Sequence, residues 1–432
     1  MICDNLQDFP RSGSYIQAIF AKMINPKIAI IGGGASGVFC AINIKESNPK
    51  ADVTVFEAGI HPLHKLAMTG GGRCNITNTF EGVKNLQQVY PRGYNLLKKL
   101  FHEFDHNSTA EWFARHGIQL YAQDDHRMFP TSNSAAHVCE TLLSTLNRLG
   151  VWMLTGRKAT AISVESVGRF SIKFSDGNDG DDLYDAVVVA TGGWHKDALY
   201  ESLESLGIEM IEPVPSLFSL KVKSNVLTNL MGASVENAVV QIPGQKFRAE
   251  GGLLVTHFGF SGPAILKLSS YAARHLAENN HKCDLLINWL GVTEDSARTL
   301  MADIVDVNAR KSVASAHPRD ITQRLWEYLL GRAEIDPTTK YSELGKKNLN
   351  KLINTLTADL YHVSGRGQFK DEFVTCGGVS LNSVNSKTLE SKNTPRLYFT
   401  GEALDVDAIT GGYNLQGCWT TGYVAAETIN KI

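Results

Sequence analysis

The run Gly32-Gly33-Gly34-Ala35-Ser36-Gly37 follows a short apolar stretch, Lys27–Gly32, and matches GxGxxG at Gly32, Gly34 and Gly37. Glycines at this spacing let a chain turn sharply out of a strand, bring backbone N–H groups against a pyrophosphate, and let a helix pack closely on the strand it leaves. The helix start, with Ala35 and Ser36 in its first turn, adds unpaired N–H groups and a partial positive charge for the same anion. Glu57 lies twenty residues after Gly37, at the end of a second apolar run, Val53–Glu57. A carboxylate there accepts hydrogen bonds from the hydroxyls of an adenosine ribose. The chemistry is that of holding a dinucleotide.

Two later stretches bear on which one. Val187–Gly193 (VVVATGG) and Leu397–Glu402 (LYFTGE) are apolar runs that end in Thr-Gly pairs, presenting Thr191 and Gly192, then Gly401 and Glu402. An NAD domain normally finishes its second half soon after the first, whereas here a piece returns almost at the C-terminus. A strand ending in Thr-Gly-acid before a glycine-rich helix start is how flavoproteins of the glutathione-reductase type close over the ribityl chain. The second piece therefore favours FAD over NAD. Thr410-Gly411-Gly412-Tyr413-Asn414-Leu415-Gln416 supplies the helix start, leading into a helix expected through Ile429. Its amides would stabilise negative charge at the N1–C2=O edge of a reduced flavin.

A fourth segment, His64 to Asn75, places Gly70, Gly71 and Gly72 before Arg73 and Cys74. Three glycines make a mobile loop whose amides can line a phosphate or flavin edge, with Arg73 as a fixed charge. Cys74 has no partner cysteine nearby and reads as packing beside the cofactor rather than as a redox thiol. Two residues are candidates for the chemistry itself. His257, ahead of Ser261-Gly262-Pro263, could be a substrate-side histidine facing the flavin, although a lone histidine is more often structural. Arg127, in His126-Arg127-Met128-Phe129-Pro130, is comparable, with a plain surface arginine as the alternative.

The elements that must position these residues follow from periodicity. Lys27–Gly32, Ala35–Ser47 and Val53–Glu57 read as one strand–helix–strand unit. Ala186–Ala190 and Leu397–Thr400 read as further core strands, and Phe170–Phe174 with Tyr184–Val189 as a hairpin around the polar loop Ser175–Asp182. Residues 213–260 carry short strand-like pieces and residues 264–360 look mainly helical. The expected organisation is an N-terminal extension at 1–25, of which 1–22 precede a second methionine, then a dinucleotide-binding domain at 26–195. A β-rich insertion with a helical segment at 196–365 follows, and the first domain resumes at 366–432. The fold class is α/β: a Rossmann-type, glutathione-reductase-like FAD domain split by that insertion.

Composition excludes several classes. A net charge of −2 gives no global drive toward nucleic acid, and the Lys346, Lys347 and Lys351 cluster reads as a solvated helix face. No run of 18 apolar residues occurs, so a membrane span is not expected. Seven scattered cysteines without a CxxC pair argue for a reducing compartment, the cytoplasm, and against a structural zinc or a dithiol active site, and no metal is assigned to the site.

The blocks KLAMTGGGRCNITN, VVVATGG, GGLLVTHFGFSGPAIL and LYFTGEALDVDAITGGYNLQGCWTTGYVA resemble the signatures of a bacterial FAD-dependent oxidoreductase family, the BaiN/RdsA-type (aminoacetone-oxidase-like, YhiN-like) flavoproteins. They run in that family's order from about Pro26 to the C-terminus. The resemblance implies FAD contacts at Gly32, Gly34, Ser36, Gly37, Glu57, Lys65, Arg73, Cys74, Asn75, Gly192, Gly401, Glu402, Gly412, Asn414 and Leu415. Ala35, Gly71, Thr191 and Tyr413 join them by their place in the same motifs. His64 departs from the pattern, since many relatives carry Lys or Arg there. Activities implied are reduction of conjugated C=C bonds in steroid-like acids, dihydrouridine formation in large-subunit ribosomal RNA, and amine oxidation. With one dinucleotide fingerprint in the chain, NAD(P)H would dock transiently as electron donor. The expected reaction passes hydride from it through flavin N5 to an electron-poor double bond of a small molecule or of a uracil base in rRNA. A flavin amine oxidase using O₂ and a low-turnover flavin-bound RNA-binding or sensor protein stand as alternatives.

Overall fold

The computed structural model describes residues 25–179, 182–223, 227–367 and 374–432, so the expected extension falls, up to residue 24, outside the described residues. The chain divides into two compact units. One comprises residues up to Pro213 together with Gly377–Val406 and Gly411–Ile432; the other comprises Val214–Cys376 and Asp407–Thr410.

The first unit opens with β1 (Lys27–Ile31), α1 (Ala35–Ser47) and β2 (Asp52–Phe56). β1 is continuously apolar after Lys27 and β2 is buried from Val53 to Phe56, Thr54 included, as strands covered on both faces must be, and Ile28, Ile30, Val53 and Val55 are fully buried. Next come α2 (His64–Gly72), β3 (Thr77–Asn78), α3 (Tyr94–Leu100), α4 (His106–Arg115), β4 (Leu120–Ala122), β5 (Arg127–Pro130) and α5 (Ala135–Arg148). Asp105 and Ser134 cap α4 and α5 by accepting from Ser108 N and His137 N. Then follow β6 (Trp152–Leu154), β7 (Ala159–Val164), β8 (Phe170–Phe174), β9 (Ala186–Val189) and α6 (Ala198–Ser205).

The β8 hairpin partner is β7, paired antiparallel through Ile162–Ile172; toward Tyr184 the described residues show a single bridge, from Phe170. The expected hairpin with Tyr184–Val189 fails for a geometric reason. Both hydrogen-bonding edges of β9 are taken by parallel neighbours, β1 on one side and the C-terminal strand Leu397–Phe399 on the other.

β10 (Met210–Ser216) leads into the second unit, which contains β11 (Leu220–Val222), β12 (Ser234–Gln241), β13 (Arg248–Val255), β14 (Gly259–Ser261), α7 (Pro263–Tyr271), α8 (Ala273–Glu278), β15 (Cys283–Asn288), α9 (Glu294–Val307), α10 (Gln323–Arg332), α11 (Gly345–Ala358) and β16 (Asp359–Arg366). Its six strands close into a barrel in the order β11-β14-β13-β12-β15-β16. Closure removes every sheet edge, and Phe260, Leu285, Ile287, Trp289 and Trp326 pack in its core. Sequence placed the insertion at 196–365, whereas this compact unit begins at Val214. Residues 196–213 stay with the first unit because α6 is stitched to β7, where Ser202 Oγ accepts from Ile162 N and donates to Ile162 O.

β17 (Val374–Val379) leads back, followed by β18 (Leu397–Phe399) and α12 (Tyr413–Ile429). The parallel sheet has the order β18-β9-β1-β2-β6, so its strands come from the start, the middle and the end of the sequence. α12 lies along α1 with Gly422 as the contact residue: a Cβ there would stand 2.8 Å from Ser36 O. Phe39 of α1 and Trp419 of α12 meet in a tilted ring contact at 5.2 Å, and Trp419 Nε1 donates to Ile76 O at 2.9 Å.

At the start of α12, Gln416 is fully buried. Its Oε1 accepts from Thr77 Oγ1 (2.6 Å) and Thr109 Oγ1 (3.0 Å), and its Nε2 donates to Thr420 Oγ1. Thr109 has a second acceptor in Asp105 O, but Thr77 has none of comparable length. Gln416→Leu, similar in size, strands the Thr77 hydroxyl in the core. The expected cost is about 1–3 kcal/mol, read as a lower denaturant midpoint of the flavin-unit transition; an unchanged midpoint would show that the network carries no stability.

Candidate functional site

The GxGxxG turn sits at the carboxyl end of β1, where an open parallel sheet binds its ligands. Gly32 has φ +114°, and a Cβ on it would collide with Ala190 O; one on Gly37 would collide with Gly32 O. These two glycines serve the turn and the helix contact. Gly34 is different, because a Cβ there would meet nothing within 4 Å. It caps α1 without a side-chain hydrogen bond, leaving the first-turn N–H groups at Ala35 and Ser36 to an external acceptor. Ser36 itself turns inward: its hydroxyl donates to Cys418 O at 3.2 Å, so its contribution to a phosphate is through the backbone.

Glu57, partly buried at the end of β2, accepts from Gly33 N at 2.8 Å and from Gly59 N at 2.7 Å. The carboxylate is thereby fixed beside the glycine turn with lone pairs remaining for ribose hydroxyls. Around the same sheet end, Gly192 (φ +77°) follows exposed Thr191, and a Cβ on Gly192 would lie 3.6 Å from Glu402 Oε2. Glu402 also takes an ion pair from Lys65 at 3.3 Å. Gly401, at φ +64°, would bring a Cβ within 2.9 Å of Ser36 Cβ.

The glycine loop breaks α2 rather than continuing it: Thr69 is extended, and Gly70, Gly71 and Gly72 have φ of +59°, +68° and +84°. Gly71 and Gly72 face open space. Arg73 donates from Nε to Gly70 O at 3.3 Å and lies 4.2 Å over the Phe129 ring. Cys74 is fully buried at φ +64°; burial pushes its thiol up to about 12, with the Thr69 hydrogen bond opposing. Asn75, oriented so that its amide oxygen faces a donor, accepts from Gly412 N at 2.9 Å and donates to Thr77 O at 3.0 Å. It clips the glycine loop to the start of α12.

Gly412 caps α12 at φ +91°, and a Cβ on it would collide with Thr77 O. Beside it, Tyr413 O accepts from Tyr90 OH at 2.6 Å and Gly411 O from Asn78 Nδ2 at 3.0 Å. Asn414 and Leu415 are the next residues of the first turn, and Leu415 packs against the Rossmann core. The segments expected around a flavin therefore share one unit, on the sheet's carboxyl end and on the α12 start.

Arg127 belongs to this unit too. It is ion-paired with Asp125 at 2.6 Å and lies 5.6 Å from the Phe129 ring centre, so Arg73 and Arg127 share one aromatic platform. Phe129, quoted beside Arg127 in the sequence but given no role there, is the residue that links them. His257 belongs to the barrel unit, on the β13–β14 turn, where it is exposed and packs edge-on against Phe258 at 4.9 Å. Also given no role by sequence were Thr77 and Gln416, although both stood inside the quoted blocks.

The geometry fits FAD. The open faces at Gly34, Gly71 and Gly72 are a cradle that side chains would fill, the helix start offers pyrophosphate its amides, and Glu57 offers the adenosine ribose an acceptor. Comparison with known proteins agrees. The model of the HI0933-like protein Rossmann domain matches residues 26–428. The chain belongs to the HI0933-like family. Another protein similar across its length is a 3-dehydro-bile acid delta(4,6)-reductase of Clostridium scindens, 31% identical over 93% of this chain and 98% of that one. A ribosomal RNA dihydrouridine synthase of Escherichia coli is 26% identical over 93% and 97%. Among solved structures, the 3-ketosteroid delta1-dehydrogenase of Sterolibacterium denitrificans aligns with a TM-score of 0.51 at 12% identity, over 94% of this chain and 100% of that one, a likeness of fold. This HI0933-like chain is an FAD-dependent oxidoreductase, and none of its helices, among the described residues, is long and apolar enough to cross a membrane.

Because the Cys74 thiol is neutral and out of solvent, it cannot act as a thiolate near neutral pH. Cys74→Ser should keep most turnover and FAD, and the folded wild-type protein should resist iodoacetamide at that position. Loss of turnover with FAD fully retained would overturn this.

Proposed function

We propose that the chain takes hydride from a reduced nicotinamide, NADH or NADPH, and delivers it to a carbon–carbon double bond conjugated to a carbonyl. The observation that carries this reading is the end-to-end similarity to a delta(4,6)-reductase of a 3-dehydro-bile acid, 31% identical. A dienone of that kind favours hydride at the carbon remote from the carbonyl and a proton at the near one. A second reading, the same addition to a uracil ring in rRNA, is supported by two rRNA dihydrouridine synthases 26% and 27% identical to the chain. Uracil also carries its double bond beside a carbonyl. The absence of disulfides among the six described cysteines supports a cytoplasmic setting.

Bound FAD supplies the two-electron step. The chain's own residues hold and orient. In this reading the amides of Gly34, Ala35 and Ser36 bind the pyrophosphate, Glu57 binds the adenosine ribose, and Thr191, Gly192 and Glu402 bind the ribityl chain, with Lys65 balancing Glu402. Gly71 and Arg73 would line the flavin edge, and Cys74 would pack beside the cofactor. The α12 start would turn its positive end toward the pyrimidine edge through the first-turn residues Tyr413, Asn414 and Leu415, with Gly412 forming the turn and its own N–H held by Asn75. Arg127 orients the acceptor's carbonyl, and His257, whose ring nitrogens have no partner among the described residues, gives the proton to the near carbon.

Denaturing the purified protein should release FAD and not FMN, because Glu57 is placed for a ribose that FMN lacks. Anaerobically, NADH or NADPH should bleach the flavin, and a 3-oxo-4-ene steroid acid or a uridine-containing rRNA fragment should restore its colour. Restoration by air alone, with peroxide formed, would favour an oxidase instead. His257→Ala and Arg127→Ala should each slow acceptor reduction by about tenfold or more while leaving FAD content and bleaching unchanged. Unaltered acceptor reduction would remove that residue from the mechanism.

A further inference from the structure

The barrel unit holds a cavity of about 550 Å³ that includes none of the residues assigned to the flavin. Strand β16 runs along it, flanked by β11 and β15. Lys223 comes one residue after the Val222–Val363 pair, and Lys282 one residue before the Cys283–Val363 pair. The register therefore sets the two lysines on opposite sides of the same strand. Both are exposed, both line the cavity, and neither side chain has a partner among the described residues.

The third cation, Arg332 of α10, is held rigidly. Its Nε and Nη2 donate to Asp359 Oδ1 at 3.1 and 2.5 Å, Nη2 also donates to Leu360 O, and the guanidinium lies 4.8 Å from the Tyr361 ring centre. Asp359 is buried and accepts from Trp289 Nε1 as well. Nη1 has no partner among the described residues, so a preorganised guanidinium presents two unused N–H groups. The other acid nearby, Asp284, is engaged by His362 at 2.7 Å. Tyr328 and Tyr361 meet through their hydroxyls at 3.1 Å; burial raises both phenols, so neither adds negative charge.

Three cations thus face a cavity lined by no carboxylate among the described residues, with Asp359 and Asp284 nearby already paired, in a chain whose formal net charge is −2. One planar guanidinium with two lysines is the donor set of a phosphate, and pockets of about 300–1,000 Å³ hold groups of nucleotide size. The lysines stand open to solvent on both sides of the strand instead of enclosing a small anion. Leu360 and His362, on the outward face of β16, are 41% exposed as a residue and 80% exposed as a side chain, respectively. They offer apolar and aromatic surface to a neighbouring sugar or base.

We propose that this cavity is a phosphate subsite for single-stranded RNA, with Arg332 Nη1, Lys223 and Lys282 as the donors to a phosphodiester. The site is separate from the flavin and stands whichever double bond is reduced: nicotinamide bleaching reads the flavin site, and RNA binding reads the cavity.

The test is fluorescence anisotropy of a labelled single-stranded oligouridylate on the FAD-loaded full chain over a salt series. Binding should weaken as salt rises. Lys223→Gln with Lys282→Gln should weaken it about tenfold at low salt and flatten the log–log salt slope by about 1.4, from about 0.7 per single-strand phosphate contact. FAD content, thermal midpoint and bleaching by NAD(P)H should not change, and Lys223→Arg with Lys282→Arg should keep the affinity. Arg332 is left intact because its removal would strand Asp359 as a buried unpaired charge. The proposal falls if the oligouridylate does not bind at low salt, or if the double glutamine variant binds as tightly as the parent with the same slope. It also falls if cholate displaces the RNA as effectively as unlabelled RNA does, which would give the cavity to a small carboxylate.

Discussion

The flavin unit depends on how closely α1 and α12 can approach. Gly422 lets Ser36 O come to within 2.8 Å of where a Cβ would stand, Gly401 does the same against Ser36 Cβ, and Ser36 closes the seam through Cys418 O. Thr421 adds a second tie, accepting from Gly401 N and donating to Gly417 O. The helix that begins the dinucleotide motif and the helix that ends the unit are thus spaced by small residues and by hydroxyls that serve backbone groups. A larger residue at either glycine would move the α12 start, and with it the amides expected at the flavin.

Glycine does two separate jobs at this site. At Gly32, Gly37 and Gly412 a Cβ would strike a backbone carbonyl, so the protein's own chain demands the glycine. At Gly34, Gly71 and Gly72 nothing of the protein lies within 4 Å of a Cβ, so a ligand is free to approach the backbone there. The second group leaves room for the cofactor expected there, and the first holds the neighbouring turns in shape.

Much of this was legible in local sequence. The GxGxxG spacing, its flanking apolar runs and Glu57 specified a strand–helix–strand unit that the structure contains, because each signal acts within a few residues of its partner. Other features were not legible, for reasons of distance or of competing partners. The Thr77–Gln416 and Thr109–Gln416 bonds join positions 339 and 307 residues apart, and no local pattern marks a glutamine for burial. The hairpin expected from Phe170 to Val189 was written in residues that suit it, yet β9 gave both its edges to parallel partners. Asp407–Thr410 joins the barrel unit while its neighbours on both sides join the flavin unit, with no change of composition to announce it. Asn75 was expected to contact FAD, and its amide bridges Thr77 O and Gly412 N, two positions 335 residues apart that no local pattern joins.

The order of strands in the parallel sheet has a consequence for how the protein is made. A ribosome delivers β1, β2 and β6 early and β9 midway, but β18 and α12 only after the whole barrel has emerged. The barrel's strands are contiguous in the chain apart from its helices, so that unit can fold while translation continues. The flavin unit must wait with β9 lacking one neighbour and α1 lacking its covering helix. The helix start expected at the flavin is therefore made after the barrel's strands, and a nascent protein stalled before residue 397 would be a folded barrel joined to an exposed, half-covered sheet.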